Sequence, residues 1–214
     1  MKSIFKLLLI LLSASILSAD NSRSEKWEFF FTPMFIDSNE VSFDGGSKVD
    51  INSRSGFGIG FGYNFNEHLE LSLLFASSNA NYRGTIVNED GSQEDYSSNI
   101  YTSSFNIAGT YNFIDGPLTP YITGVIGSTY VDSGVYTGRV GSGCYWDPWY
   151  GYICSPYAET YTSTKLNYGA SVGVRYDFDN MLYLKAGAGK NWIDFSGSSS
   201  NDFTVYDITI GATF

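Results

Sequence analysis

The chain has 214 residues, a formal net charge of −10 at pH 7 and aromatic side chains at 17% of its positions. Nucleic-acid binding calls for clustered positive charge, so this balance argues against a nucleic-acid partner. The 23 glycines, the 5 prolines and the many aromatic residues favour a single all-β domain.

The first 19 residues have the order of a secretory signal peptide. A short basic start precedes the apolar run 7–12, and small residues lead to a predicted cleavage after Ala19. The apolar run is too short to span a bilayer, which argues against a retained helical anchor. We therefore predict a cleaved signal peptide at 1–19 and an exported domain at 20–214.

Eight segments have the composition or the alternation of β-strands, in which every second residue faces the same side. They are 27–36, 56–65, 69–76, 101–113, 121–131, 166–178, 182–192 and 204–214. In most of them apolar residues alternate with glycine and polar residues, although the faces of 121–131 stay unassigned. Pro33 cannot donate a ladder hydrogen bond, so we predict a bulge or a frayed pairing in the first strand.

The connections between these strands alternate in length. Short turns are predicted near 66–67, 115–116 and 179–180, and longer polar loops at 37–53, 79–97, 132–161 and 196–202. This alternation is typical of an outer-membrane barrel, whose closure satisfies every backbone group in lipid. The predicted fold is an all-β, eight-stranded antiparallel up-and-down transmembrane β-barrel. A soluble ligand-binding barrel is the alternative, but its apolar face would lie inside, whereas here the non-aromatic face suits a narrow polar interior.

The last strand alternates apolar or small residues with polar residues and ends on an aromatic side chain. Its apolar set is Tyr206, Ile208, Ile210, Ala212 and Phe214. With the signal peptide and the other strands, this ending resembles the small outer-membrane β-barrel proteins of Gram-negative bacteria, of the OmpA/OmpX and opacity-protein type, over essentially all of residues 26–214. The resemblance implies a place in the cell outer membrane, contact with its lipid and lipopolysaccharide, and recognition of the apolar set by the barrel-assembly machinery.

Alternation places five charged side chains in the lumen, near the short-turn end. They are Glu28, Glu70, Arg175, Asp177 and Lys185. Because an unpaired buried charge is very costly, we predict a network of opposite charges that closes the lumen. The alternative is that these charges only solvate the rim. Eight strands enclose little more than side chains, so a wide aqueous pore is not expected.

The two cysteines, Cys144 and Cys154, lie in the longest predicted loop. In an exported protein they predict a disulfide, which would stabilise so short a loop by about 2–3 kcal/mol. The aromatic residues between them are Tyr145, Trp146, Trp149, Tyr150 and Tyr152. They either pack within the loop or contact lipid headgroups or a partner, and they form the best candidate interaction surface. These residues do not specify which extracellular ligand would bind.

Catalysis has little support in the sequence. His68 is the only histidine, and it lies beside a predicted short turn, away from the long loops. The acidic run 88–95 lacks the spacing of an EF-hand and is interpreted as a solvated loop. We therefore predict no catalytic residue, metal site or cofactor. A structural or surface-display barrel is favoured over a narrow porin-like channel for small or apolar solutes, and a lipid-modifying enzyme is the weakest hypothesis.

Overall fold

In the residues that it describes, the computed structural model has ten β-strands. It describes residues 22–42, 48–87, 92–149, 151–178, 181–194 and 202–214. The strands are β1 Trp27–Ile36, β2 Asn39–Ser42, β3 Lys48–Ile51, β4 Arg54–Asn64, β5 Leu69–Val87, β6 Gln93–Asn112, β7 Leu118–Asp147, β8 Gly151–Asp177, β9 Leu182–Ile193 and β10 Asp202–Thr213. The signal peptide predicted at 1–19 lies outside the described residues. Within those residues, no helix is long and apolar enough to cross a membrane.

Eight of the strands form a closed ring. Each is antiparallel to its neighbours, in the order β1, β4, β5, β6, β7, β8, β9 and β10, and β10 pairs back to β1. At this closure Trp27 and Phe214 exchange backbone hydrogen bonds of 3.0 and 2.9 Å. A closed ring has no edge strand with unpaired backbone groups. The predicted eight-stranded antiparallel barrel is therefore confirmed.

The two faces of the ring differ sharply in polarity. Apolar outward residues include Phe29, Phe31, Phe61, Leu71, Leu73, Phe105, Ile107, Ile126, Val172, Ile208 and Ile210. Buried inward residues are largely polar, among them Asn64, Asn106, Thr110, Asn112 and Asn167. In β7, whose faces the sequence left unassigned, Tyr121 is buried inside and Ile122 points outward. An apolar outer belt around a polar lumen is the inverse of a soluble ligand-binding barrel and suits a barrel surrounded by lipid.

The described parts of the links 37–53, 79–97 and 132–161 are largely strand extensions and hairpins, so their interpretation as loops is wrong. Residues 196–201 of the fourth link lie outside the described residues. β5 and β6 stay paired as far as Val87 and Gln93, well beyond the predicted strand 69–76. The link 37–53 contains the β2–β3 hairpin, and β3 pairs with the extension of β5. Two extended strands satisfy each other's backbone groups wherever they lie, so polar composition alone does not indicate a loop.

β7 and β8 are the longest strands, with 30 and 27 residues. Beyond Asp132 their register shifts twice, before and after Tyr136, because β7 advances further than β8. The extra β7 residues include Gly134 (φ 63°) and Gly138 (φ 81°). Glycine adopts positive φ at little steric cost, so these two positions allow β7 to bulge while the hairpin continues past the ring.

Pro33 interrupts the closure between β1 and β10 without changing its register. Pro33 is still aligned with Phe57 of β4, whereas the β1–β10 ladder lacks pairs at Thr32 and Pro33. The frayed pairing predicted here is therefore correct, and the alternative, a bulge, is wrong. On the lumenal side, the hydroxyl oxygens of Thr32 and Thr209 lie 2.9 Å apart and hydrogen-bond across the gap.

Candidate functional site

The five lumenal charges meet at the short-turn end of the barrel. Arg175 Nη1 lies 2.7 Å from Glu28 Oε1 and 3.3 Å from Glu70 Oε2. Arg175 Nε donates to Asp177 Oδ1 at 2.8 Å. Lys185 Nζ lies 2.7 Å from Glu70 Oε2 and 3.8 Å from Glu28 Oε2. We call these five residues the lumenal charge cluster, and all of them are buried.

Two neutral residues complete this cluster. The Arg175 guanidinium carbon lies 4.1 Å from the ring centroid of Tyr183, within the range of a cation–π contact. Asn64 Nδ2 donates to Glu28 Oε1 at 2.6 Å. Sequence reasoning named neither residue, although each lies an even number of positions from an inward residue of its own strand. The cluster is therefore held by hydrogen bonds and a ring face as well as by ion pairs.

Arg23, which precedes β1, covers the cluster from the short-turn side. Its side chain is 2% exposed, and Nη2 donates to the carbonyl oxygens of Gly116 at 2.8 Å and Ile114 at 3.3 Å. It also lies 3.4 Å from Asp177 and 3.3 Å from Glu67. Arg23 thus ties two short turns to the cluster. It lies outside any strand, so alternation gave no signal for it.

Beyond the cluster the lumen opens into a cavity of about 200 Å³. At its far end is a buried apolar group, which we call the apolar roof. It comprises Ile36, Val41, Ile51, Ala80, Tyr82, Ile193 and Phe203. The β2–β3 hairpin supplies Val41 and Ile51, while Ile36, Ile193 and Phe203 also line the cavity. The lumen is therefore occupied by paired charges at one end and by packed apolar side chains at the other.

The far end of the β7–β8 hairpin carries the disulfide and exposed aromatic rings. Cys144 and Cys154 are bonded and stand directly opposite each other in the ladder. Trp146, Trp149 and Tyr152 are 63%, 88% and 80% exposed, so packing within the hairpin leaves them largely uncovered. Of the other two predicted aromatic residues, Tyr150 and the side chain of Tyr145 lie outside the described part of the structure.

The chain matches the outer membrane protein beta-barrel domain family over residues 9–214. It belongs to this family. The match confirms the predicted resemblance to small outer-membrane barrels. Together with the apolar outer belt, membership of this family places the protein in the outer membrane. In such barrels short turns face the periplasm and long connections face outward. The lumenal charge cluster is therefore periplasmic, and the β2–β3 and β7–β8 hairpins are extracellular.

Solved structures of small outer-membrane proteins are similar to this barrel. Neisserial surface protein A (NspA) is 14% identical with a TM-score of 0.52, covering 88% of this chain and 97% of that one. Ail of Yersinia pestis is 11% identical with a TM-score of 0.48, covering 89% and 99%. OprG of Pseudomonas aeruginosa is 14% identical with a TM-score of 0.47, covering 89% and 96%. At 14% identity the likeness to NspA shows the fold alone. No curated protein sequence matches significantly.

His68 of this outer-membrane barrel is part of a periplasmic turn. Its Nδ1 lies 2.8 Å from the Asn112 carbonyl oxygen, which can only accept, so Nδ1 is the donor. Its ring stacks on Tyr111, and Nε2 lies 3.4 Å from Asp115. These contacts join two neighbouring turns. No set of three or more His, Cys, Asp and Glu side chains arranged to hold a metal occurs among the described residues.

Replacing Cys144 and Cys154 with serine is expected to loosen the hairpin end alone. Three ladder pairs remain beyond the disulfide, and removing the cross-link lowers the free energy of local opening by about 2–3 kcal/mol. Chymotrypsin should then cleave the hairpin at least about tenfold faster in the refolded barrel. The urea midpoint of the barrel should stay unchanged, because the ring ladders are intact. Unchanged cleavage, or a lower midpoint, would contradict this prediction.

Proposed function

We propose that this outer-membrane barrel is a structural, surface-display protein that presents the β7–β8 hairpin to a partner outside the cell. The carrying observation is the hairpin itself. Its strands have 30 and 27 residues, whereas β1 has 10. At about 3.3 Å per residue, the 11 β8 residues from Gly151 to Tyr161 carry the hairpin about 36 Å beyond the Asp132–Thr162 pair. A segment of that length adds nothing to barrel closure, which supports a role outside the membrane.

The exposed rings at the hairpin end support an interaction role. Trp146 and Tyr152 stand opposite each other in the β7–β8 ladder, and Trp149 lies in the turn that joins the two strands. Exposed groups of large apolar side chains mark interaction sites, and tryptophan and tyrosine are the residues most enriched where binding energy is concentrated. The disulfide between Cys144 and Cys154 restricts the hairpin end, so a partner would meet a pre-ordered surface. We propose these rings as the contact surface.

Both ends of the lumen support a closed barrel rather than a channel. The lumenal charge cluster fills the periplasmic end, and the apolar roof fills the extracellular end. A passing solute would have to separate buried ion pairs and a packed apolar group. We therefore propose that the protein neither conducts solutes nor modifies lipid, since His68 is held in a periplasmic turn.

Interactions with the membrane and with the assembly machinery are part of the same proposal. Tyr206, Ile208, Ile210 and Phe214 point outward from β10 and its end, where lipid and the acyl chains of lipopolysaccharide would surround them. We propose that the barrel-assembly machinery recognises the same outward row before β1 pairs with β10. The extracellular partner proposed above would bind at the hairpin end.

The display role is tested with cells that carry the wild-type protein or a variant with Trp146→Ser, Trp149→Ser and Tyr152→Ser. We expect wild-type cells to bind components of an array of surface glycans and matrix proteins, and the variant to lose that binding while its barrel still folds. A control variant, Tyr136→Ser with Tyr161→Ser, alters aromatic residues nearer the barrel and should bind normally. Absence of binding, or equal binding by the first variant, would refute the display role.

The two competing functions have separate readouts. Refolded protein in planar bilayers should show no steady conductance, and solute-selective channels would overturn the closed-barrel proposal. Incubation with outer-membrane lipid should produce no turnover. Lipid turnover that disappears with His68→Ala would establish an enzyme instead.

A further inference from the structure

Arg54 is a buried cation with no acidic partner among the described residues. It begins β4 beside Ile36, and it is 7% exposed. Nε donates to Ser78 Oγ at 3.2 Å, the one hydrogen bond of this side chain within the described structure. Nη1 is buried and has no hydrogen-bond partner among the described residues. A buried guanidinium N–H group without an acceptor is costly.

The other two cations that line the cavity are neutralised. Lys185 is paired with Glu70 in the lumenal charge cluster, and Lys190 is paired with Asp202. Asp207 also lines the cavity but makes no ion pair with Arg54. Within the described part of the chain, Arg54 therefore leaves a positive charge without a paired carboxylate at the extracellular end of the cavity.

The cavity lining near Arg54 combines apolar side chains with hydroxyl groups, and the hydroxyls of Ser78 and Thr102 are already engaged. Its guanidinium carbon lies 5.0 Å from the ring centroid of Phe203. Ser78 Oγ accepts from Arg54 and also lies 2.8 Å from Thr102 Oγ1. The apolar side chains that line this end of the cavity are Met34, Ile36, Ala76, Ile193, Phe203 and Val205. An anion here would find charged donors in Arg54, and an apolar body attached to it would find these side chains beside it.

We propose that the cavity is a binding site for a small monocarboxylate with a compact apolar body. The carboxylate would accept from the Nη groups of Arg54, because a planar guanidinium matches two carboxylate oxygens. The body would lie against the apolar lining near Met34 and Phe203. A cavity of 150 Å³ holds benzene, so the 200 Å³ found here suits a ligand of about eight non-hydrogen atoms. A bare inorganic anion fits less well, since it would leave the apolar part of the lining without a contact.

Benzoate is a suitable probe because it combines one carboxylate with one ring. Titration calorimetry on the refolded protein in an uncharged detergent should give saturable benzoate binding. Benzamide has the same shape without the charge, and it should bind at least about tenfold more weakly, since hydrogen bonds to charged groups are the stronger ones. Similar affinities for benzoate and benzamide would overturn the proposal, as would the absence of saturable benzoate binding.

Two variants assign the site to Arg54. Arg54→Gln should weaken benzoate binding at least about tenfold and leave benzamide binding unchanged. Lys48→Gln is the matched control, because it also removes one positive charge but from an exposed pair with Glu40 outside the cavity. Benzoate affinity that survives Arg54→Gln, or that falls equally with Lys48→Gln, would refute the assignment.

A cavity-filling variant keeps the test decisive if Arg54→Gln does not fold. Ala76 is buried and lines the cavity, so Ala76→Phe would occupy the space intended for the ligand body while Arg54 stays in place. Loss of benzoate binding is expected, and retained binding would overturn the proposal.

A competition experiment distinguishes an organic carboxylate from an inorganic anion. Displacement of benzoate by equimolar chloride or phosphate would identify an inorganic anion site and refute the monocarboxylate.

Discussion

Replacing Arg175 with methionine is expected to destabilise the folded barrel by about 3–5 kcal/mol. Arg175 is fully buried and lies within ion-pair distance of Glu28, Glu70 and Asp177. Methionine fills part of the space but leaves these carboxylates with too little positive charge, and a buried carboxylate without a partner is very costly. Urea unfolding of the refolded protein in lipid vesicles, followed by tryptophan fluorescence, measures the loss. We also expect higher conductance in planar bilayers, because water would solvate the freed carboxylates.

Two comparisons separate this effect from general damage. Arg83→Met removes an exposed arginine on β5 and should change the free energy of unfolding by no more than about 0.5 kcal/mol. Adding Glu28→Gln to Arg175→Met removes one unpaired charge and should recover part of the loss. If Arg175→Met changed neither stability nor conductance, the idea that the lumenal charge cluster closes the barrel would be wrong.

Replacing Gly127 with valine is expected to destabilise the barrel by about 3 kcal/mol, or to prevent refolding. A Cβ atom at this inward position of β7 would overlap the backbone oxygen of Phe105 and lie 2.8 Å from the Asn106 Cα atom. Backbone of a neighbouring strand cannot move aside as a flexible side chain can. Nearby, Asn167 Nδ2 donates to Asn106 Oδ1 at 2.7 Å, so this buried hydrogen bond would be disturbed as well. The urea midpoint again measures the change.

Gly124, three positions earlier on the same strand, provides the matched control. It points outward, and a Cβ atom there would have no heavy atom within 4 Å. Gly124→Val adds a β-branched apolar side chain toward lipid, so it should leave stability unchanged or raise it slightly. Equal destabilisation by the two substitutions would show that the inward space around Gly127 is not the cause.

Alternation did not assign the faces of 121–131 in β7, but it predicted the inward and outward faces of most ring strands, where lipid lies on one side and polar side chains fill the other. This explains why Glu28, Arg175 and Lys185 could be placed in the lumen from the sequence. Arg23 could not be found this way, because it lies outside any strand and acts through its reach to two turns. The closure at Pro33 was predictable in part, since the missing donor follows from proline chemistry while the unchanged register does not.

The rule fails at the extracellular end, where lipid no longer surrounds the strands. Ile36, Ile193 and Phe203 are apolar and point inward, because the β2–β3 hairpin packs across the lumen and makes a small core there. The polar composition of the links 37–53 and 132–161 also suggested loops, because these links extend beyond the lipid layer. Beyond the membrane both faces of a strand can be exposed to solvent, so the polarity of the side chains no longer distinguishes a strand from a loop. The cavity and the unpaired Arg54 depend on this packing and have no signature in the sequence.

The two register shifts in β7 also make the outer part of the hairpin independent of the strand pairing that sets the geometry of the barrel. The stagger that sets barrel diameter is fixed by pairs within the ring, and the last β7–β8 pair before the shifts is Asp132 with Thr162. Residues added, deleted or exchanged beyond Gly138 therefore leave strand number, tilt and closure untouched. The barrel ring is therefore constrained in sequence, whereas the outer part of the β7–β8 hairpin is not constrained by barrel folding. Substitutions selected by contacts outside the cell can accumulate there without destabilising the barrel.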